Sequence, residues 1–190
     1  MRLKNWLYKK IFSLFSPRMI YGYYSHGKLL SRTRVSNTTW IDYPQNLDIA
    51  DNVHIGHHNF IEASHHITIE EGCQITNFIS ITTHSSHISV RLYGNLTPPE
   101  NPPKGYMTGP IRIGKYTFIG PYTLIMPGTT IGKGSLIHAY SKVKGEYPDF
   151  AILRGNPARV IGDTRELDAP YLDKYPEMKE WYNQWVLPSQ

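Results

Sequence analysis

Between Ile113 and Val143 an aliphatic residue returns every six positions, at Ile113, Ile119, Ile125, Ile131, Ile137 and Val143. A period of six belongs neither to a helix, with 3.6, nor to a lone strand, with 2. The fifth position of each hexad is small and hydroxylated (Thr117, Thr123, Thr129, Ser135, Ser141), and Gly114, Gly120 and Gly132 directly follow their aliphatic neighbours. A short strand that buries one aliphatic side chain and then turns cannot build a core alone, but successive turns can stack into a parallel solenoid. Three strands per coil give an 18-residue turn (3 × 6), which stacks Ile113 on Ile131, Ile119 on Ile137 and Ile125 on Val143 at the ~4.8 Å spacing of paired strands.

The hexads return in weaker form upstream, at Ile49, Ile55, Ile61 and Ile67, then at Ile69, Ile75 and Ile81 after a two-residue slip. The slip predicts an irregular corner or a small bulge, and Asn52, Gly56 and Gly72 supply corner chemistry. From Ser85 to Pro110 the repeat stops, in a segment with five prolines and three glycines. Flanked by matching repeat, it reads as a loop extruded from one corner, and loops of this length are usually functional. Without it, residues 49–162 make about five coils.

Residues 2–15 place Leu3, Trp6, Leu7, Ile11, Leu14 and Phe15 at helical spacing with Lys4, Lys9 and Lys10 between them, and Pro17 ends the run. Such a helix is ~21 Å long, short of a ~30 Å hydrocarbon core. With no small-residue cleavage site after it, it reads as neither a span nor a signal peptide. It either lies on an anionic membrane surface or packs on the solenoid or a neighbouring chain. At the other end Glu177 to Trp185 has helical spacing, with Trp181 and Trp185 four apart. This segment is expected to cap the open end of the solenoid. The chain divides into an N-terminal helix (1–20), a solenoid (21–162, loop 85–110) and a helical tail (163–190).

The net charge of +5 is concentrated at the start: residues 1–20 hold five cations and no acid, so the other 15 cations and 15 acids cancel. A nucleic-acid-binding face on the solenoid is therefore unsupported, since it would need clustered Lys and Arg. One cysteine, Cys73, excludes an intramolecular disulfide framework and suits a reducing, cytoplasmic setting. Its place at the small position of a hexad marks it as core. GTTIGKG at 128–134 lacks the spacing of a phosphate-binding P-loop, and no Gly-x-Ser-x-Gly element offers a serine nucleophile.

The pattern aliphatic-Gly-x-x-Ser/Thr-x resembles the hexapeptide-repeat acyltransferases, and ITTHSSHISVRLYG at 81–94 resembles their maltose and galactoside O-acetyltransferase branch. The resemblance, not the periodicity, implies an all-β left-handed parallel β-helix, since parallel crossovers are ordinarily right-handed. It implies His84 as catalytic base, taking a proton from an acceptor hydroxyl, a role worth ~10²–10⁴ in rate. His87 is the lesser candidate. Asn77, His87 and Arg91 are the implied acceptor contacts. AILRGNPARVIG at 151–162 resembles the family's segment after the last coil. It implies acetyl-CoA as donor, with Gly155, Asn156, Pro157 and Ala158 against the coenzyme, Lys144, Arg154 and Arg159 at its phosphates, and Gly120 and Ala139 on the groove wall. The family's second basic residue is replaced by Gly162, and His138 and Tyr140 stand where it favours glycine.

A homotrimer and a saccharide hydroxyl acceptor, such as a bacterial surface-polysaccharide precursor, complete the expectation. An amino sugar is the alternative acceptor. The missing N-terminal helical domain and nucleotide-binding βαβ unit speak against serine acetyltransferases and sugar-nucleotide N-acetyltransferases that carry them. Two rivals share the fold: a zinc site of the carbonic-anhydrase type, which His84, His87 and His138 match poorly in spacing, and a silent scaffold. No metal is expected.

Overall fold

A computed structural model describes residues 2–187, without the side chains of Arg2, Leu3, Leu14 and Phe15. The chain winds into a parallel β-helix of about six turns with three flat faces, the left-handed β-helix expected. The first face carries six parallel strands, through Val35, Ile55, Ile75, Ile119, Ile137 and Leu153. The second runs through Ile41, Ile61, Ile81, Ile125 and Val143. The third runs through Ile49, Ile69, Ile113, Ile131 and Tyr147. Ile113 pairs with Ile131, Ile119 with Ile137 and Ile125 with Val143, in the expected 18-residue register. Ile55, Ile61, Ile75, Ile81 and every aliphatic residue of the main repeat are fully buried, and burying each is worth ~1.5–3 kcal/mol.

The small hydroxylated position closes the corners. Thr123 Oγ donates to the Gly120 carbonyl (2.7 Å), Thr129 Oγ to Met126 (2.7 Å) and Ser135 Oγ to Gly132 (2.8 Å), each three residues back. These bonds satisfy hydroxyls and carbonyls that burial would otherwise penalise.

The two-residue slip is not a bulge. Leu47–Ile49, Ile67–Ile69 and Ile111–Ile113 are three-residue strands on the third face whose outer residues both point inward and are buried. Side chains alternate along a strand, so a strand of three buries two aliphatics and lengthens its coil from 18 to 20 residues. Val35 therefore pairs with Ile55 and Ile55 with Ile75 at a spacing of 20. There is also one coil more than the hexads alone imply. Its strands Lys28–Ser36 and Trp40–Asp42 bring only Ile41 to the isoleucine ladder, and Lys28–Ser36 is polar-rich.

Antiparallel strands cover both edges of the first face: Met19–Ser25 pairs with Lys28–Ser36, and Ala158–Asp163 with Ala151–Gly155. Strand Ala158–Asp163, not the final aromatic segment, thus covers the C-terminal edge. Helices α3 (Thr164–Lys174) and α4 (Lys179–Val186) instead turn back along the corner between the third and first faces. There Trp185 packs on Tyr116 and Phe150, and Lys133 Nζ donates to the Trp185 and Val186 carbonyls (2.8 and 3.1 Å). The N-terminal helix α1 (Arg2–Phe15) leaves Trp6, Leu7, Tyr8, Ile11 and Phe12 exposed, so these described apolar side chains do not pack on their own solenoid.

Candidate active site

The extruded loop leaves from the corner between the second and third faces. It is better ordered than its composition predicts: His84–Ser85 pairs antiparallel with Met107–Thr108 as a stem, and Ser89–Tyr93 forms a short helix, α2. The returning chain is tied down where Gly109 N–H donates to the Thr83 carbonyl (3.0 Å) and Ile111 N–H to His66 (3.0 Å). His84 sits at the root of the stem, half-buried, directly after Thr83, which is fully buried.

One coil below, strand Phe60–Glu62 pairs in register with Ser80–Thr82, so Glu62 stands beside Thr82 at the same corner. The Glu62 side chain is buried, and its Oε2 lies 2.8 Å from His84 Nδ1. Oε2 also accepts from the Thr83 N–H (3.0 Å) and Thr83 Oγ (2.9 Å), while Oε1 accepts from the Ser64 N–H (2.8 Å). Burial pushes this carboxyl up, but the bonds from Ser64 and Thr83 outweigh it and hold the value at about 2. Glu62 is therefore ionised at neutral pH. A carboxylate only accepts hydrogen bonds, so Nδ1 of His84 must carry the proton of that pair. A neutral His84 then has its free lone pair on Nε2, the tautomer a general base needs.

Tyr106, on the returning arm of the loop, stacks on the His84 ring (centroids 5.3 Å, planes 19° apart), and His65 tilts against both rings at 6.4 and 6.3 Å. Burial, then the nearby Glu62 and Tyr43, raise the Tyr106 hydroxyl above its ordinary value, so it stays protonated. His84 is thus fixed by a hydrogen-bonded carboxylate on one edge and an aromatic wall on one face.

The other expected residues fall into three groups. His87 and Arg91 lie exposed on the loop, with His87 Nδ1 bonded only to Ser85 Oγ (2.8 Å). Asn77 is at the corner between the first and second faces, where its Oδ1 accepts from the His57 N–H (2.7 Å). Within one chain it stands at the opposite end of strand Ser80–Thr82 from His84. Gly120, Ala139 and the Gly155-Asn156-Pro157-Ala158 turn share that same first–second corner, in the upper coils. The turn joins two strands in which Arg154 pairs across from Arg159, and the Gly155 N–H donates to Ser141 Oγ (3.2 Å). Lys144 is exposed on the His84 corner, two coils above it.

Gly120 has a structural reason to be glycine: a Cβ there would lie 2.6 Å from the Ala139 nitrogen and 2.8 Å from the Ile137 oxygen. Tyr140 closes an aromatic column, stacked on Tyr122 (5.0 Å), which stacks on Phe78 (5.0 Å) and that on His58 (5.1 Å). Where the family favours glycine, this corner is lined by rings.

A cleft of about 1380 Å³ lies elsewhere, under α3 and α4, and none of the expected site residues lines it. Of its charged walls, Arg112 is engaged with Glu70 and Arg32 with Glu71. Among the described residues no three His, Cys, Asp or Glu side chains converge on a metal position.

Sequence reasoning missed Glu62 and Tyr106. Glu62 precedes His84 by 22 residues, and only a 20-residue coil places it against Thr82 and His84. The slip between Ile67 and Ile69 was the available signal for that coil length.

The family described as bacterial transferase hexapeptide (six repeats) matches residues 110–145. No curated protein matches the chain. Among solved structures, AntD, an N-acyltransferase from Bacillus cereus in complex with dTDP and 3-hydroxybutyryl-CoA, superimposes with a TM-score of 0.57 at 22% identity, over 76% of this chain and 89% of that one. A maltose O-acetyltransferase from Clostridium difficile gives a TM-score of 0.55 at 24% identity, over 67% and 64%. A galactoside acetyltransferase in complex with coenzyme A gives 0.50 at 25% identity, over 70% and 65%. Residues 110–145 thus carry the hexapeptide repeat, and together with the isoleucine ladder and the hydroxyl-closed corners these likenesses give the chain the β-helix fold of the hexapeptide-repeat acyltransferases.

Proposed function

We propose that the protein transfers an acetyl group from acetyl-CoA to a saccharide hydroxyl, with His84 as general base and Glu62 as the residue that positions it. The observation carrying this is the 2.8 Å contact between His84 Nδ1 and the buried Glu62 carboxylate, which leaves Nε2 as the free basic nitrogen. Nε2 takes the hydroxyl proton as the oxygen attacks the thioester carbonyl. A backbone N–H of a neighbouring coil stabilises the resulting oxyanion. Collapse of the tetrahedral intermediate breaks the C–S bond, and the imidazolium returns its proton to the departing thiolate, giving the acetyl ester and free coenzyme A. Glu62 stabilises the imidazolium without accepting its proton.

The coenzyme is held by Gly155, Asn156, Pro157 and Ala158, with Lys144, Arg154 and Arg159 at its phosphates and Gly120 and Ala139 on the wall. His87 and Arg91 meet the acceptor from the loop. In one chain the 155–158 turn and His84 occupy opposite edges of the second face. The site therefore works between copies, one giving His84 and its neighbour the turn, in a cyclic homotrimer. Supply of acetyl-CoA places the reaction in the cytoplasm, and a precursor of a bacterial surface polysaccharide is the acceptor class. An amino sugar is the second reading, favoured by the likeness to AntD, an N-acyltransferase.

The test is consumption of acetyl-CoA against panels of hydroxyl and amino sugars, with the product's mass giving the site class. His84→Ala should lower kcat ~10²–10⁴-fold on the true acceptor with acetyl-CoA affinity unchanged. Near-normal kcat in that variant would remove His84 from the role.

A further inference from the structure

The first 41 residues contain eight cations and no Asp or Glu; the other 149 hold 12 cations (20 − 8) and 15 acids. This acid-free segment also leaves apolar side chains uncovered. On α1, Trp6, Leu7, Ile11 and Phe12 are exposed, and Lys10 lies over the Trp6 ring with its ammonium 4.7 Å from the centroid. The N-terminal hairpin of strands Met19–Ser25 and Lys28–Ser36 continues the pattern with Ile20, Tyr21, Tyr24 and Leu29 exposed, Tyr24 directly across from Leu29. Helix and hairpin are joined by three residues and tethered together: Asn37 Oδ1 accepts from the Arg18 N–H (2.8 Å) and its Nδ2 donates to the Ser16 carbonyl (3.3 Å). Arg32 is spent on Asp51 and Glu71 and Arg34 on His54, but among the described residues Lys4, Lys9, Lys10, Arg18 and Lys28 have no ion pair.

We propose that this N-terminal end, α1 together with the hairpin, is a docking surface for an anionic lipid bilayer. Exposed Trp, Phe and Leu interleaved with lysine is the composition that settles in the headgroup region, apolar side down and ammonium groups at the lipid phosphates. No described helix is long and apolar enough to cross a membrane, so the contact is peripheral. The rival occupant is the tail of a second copy, whose residues 163–187 carry six acids and three cations. The tail's acids are interrupted by Arg165, Lys174 and Lys179, whereas residues 1–41 carry no acid of their own and their cations extend beyond the helix; the coil acids that reach the hairpin, Asp48, Asp51 and Glu71, pair with His26 and Arg32. The surface stands without the acyl-transfer reading. If that reading also holds, the cyclic trimer turns three such ends to one side and multiplies the contact. His84, two coils above the first, then lies ~10 Å higher, within reach of a lipid-linked saccharide.

The test uses the full chain with sedimented vesicles of phosphatidylcholine, alone or with about one third phosphatidylglycerol. Binding is expected to the anionic vesicles and not to the neutral ones, with loss in ~1 M salt, where the Debye length falls to about 3 Å. Lys9→Ala with Lys10→Ala should weaken binding about 20- to 30-fold, at roughly fivefold per cation. Tyr21→Ser with Tyr24→Ser should weaken it further in the full chain, and neither pair should change turnover of a water-soluble acceptor. Equal binding to both vesicles, binding to neither, or indifference to the hairpin variant would each overturn the proposal. So would dissociation of the oligomer by Lys9→Ala with Lys10→Ala, which would assign the patch to a second copy.

Discussion

Replacing Glu62 with Gln tests the dyad with the smallest change of shape. Oε2 accepts three hydrogen bonds, from His84 Nδ1, the Thr83 N–H and Thr83 Oγ, and Oε1 accepts one, from the Ser64 N–H. The amide must therefore put its oxygen at the Oε2 position, because its NH₂ there would face three donors. Its NH₂ then faces the Ser64 N–H, donor against donor. One buried donor left unsatisfied costs about 1–3 kcal/mol, and at 2–4 °C per kcal/mol for a chain of this size the Tm should fall by roughly 2–12 °C. His84 keeps an acceptor for Nδ1–H, so the tautomer survives and acetyl-CoA affinity should not move. What is lost is the negative charge facing the imidazolium. A hydrogen bond to a charged group is worth about 1.5–3 kcal/mol, so kcat should fall ~10- to 150-fold.

The same variant carries a pH signature in stability. The Glu62 carboxyl is held at about 2 in the folded chain against an ordinary 4.5. A depressed carboxyl contributes stability that is complete above the unfolded value and disappears as the pH falls through the folded one. The gap in stability between wild type and Glu62→Gln should therefore be constant above about pH 5 and close progressively between 4.5 and 2. Denaturant midpoints across that range, with steady-state kinetics at neutral pH, measure both effects. A folded Glu62→Gln protein with kcat within twofold of wild type would refute the positioning role, and a stability gap that ignores pH would refute the assignment of an ionised Glu62.

Gly120→Ala should act on stability, not on acetyl-CoA binding alone: its Cβ would press on backbone of the next coil at 2.6 Å, so a loss of about 1–3 kcal/mol by thermal melt is expected, and an unchanged Tm would contradict the stacking. His87→Ala should change kcat far less than His84→Ala, since His87 is exposed and bonded only to Ser85; a dead His87 variant would exchange the two roles. Light scattering at micromolar concentration should give a trimer, and mixed trimers of His84→Ala with Arg154→Ala/Arg159→Ala chains should recover part of the activity that each lacks alone. A monomer active at full rate would defeat the inter-copy site.

How much of this was legible in residues follows from the range of the interactions. The core was, because a hexad repeat is read by each strand from its own six residues and every coil solves the same packing problem. In the coil that follows, Ile113, Ile119 and Ile125 could have no other neighbours than Ile131, Ile137 and Val143 once the period was seen. The break at residue 85 also announced the loop, and His84 at its root. Coil length in the first half was signalled only by the two-residue slip, which fits a corner or a bulge as well as a longer strand. A three-residue strand such as Ile67–Ile69 differs from a corner only in which way two side chains point. That uncertainty of two residues was enough to hide Glu62, whose partnership with His84 exists only when 20 residues bring the chain back to the same corner.

Tyr106 was hidden for a different reason, since its stacking on His84 depends on how the loop folds back, which no repeat dictates. Nor could spacing reveal that the tail runs back along a corner while Ala158–Asp163 covers the edge: both paths bury apolar surface, and the choice is made by Trp185 finding Tyr116 and Phe150. A stacked solenoid with isoleucine inside is written in the residues themselves, because that choice is local and repeated. Which carboxylate meets the histidine, and which apolar surface of the N-terminal end is left bare, emerges only in the folded chain, because both depend on contacts between segments a full coil or more apart.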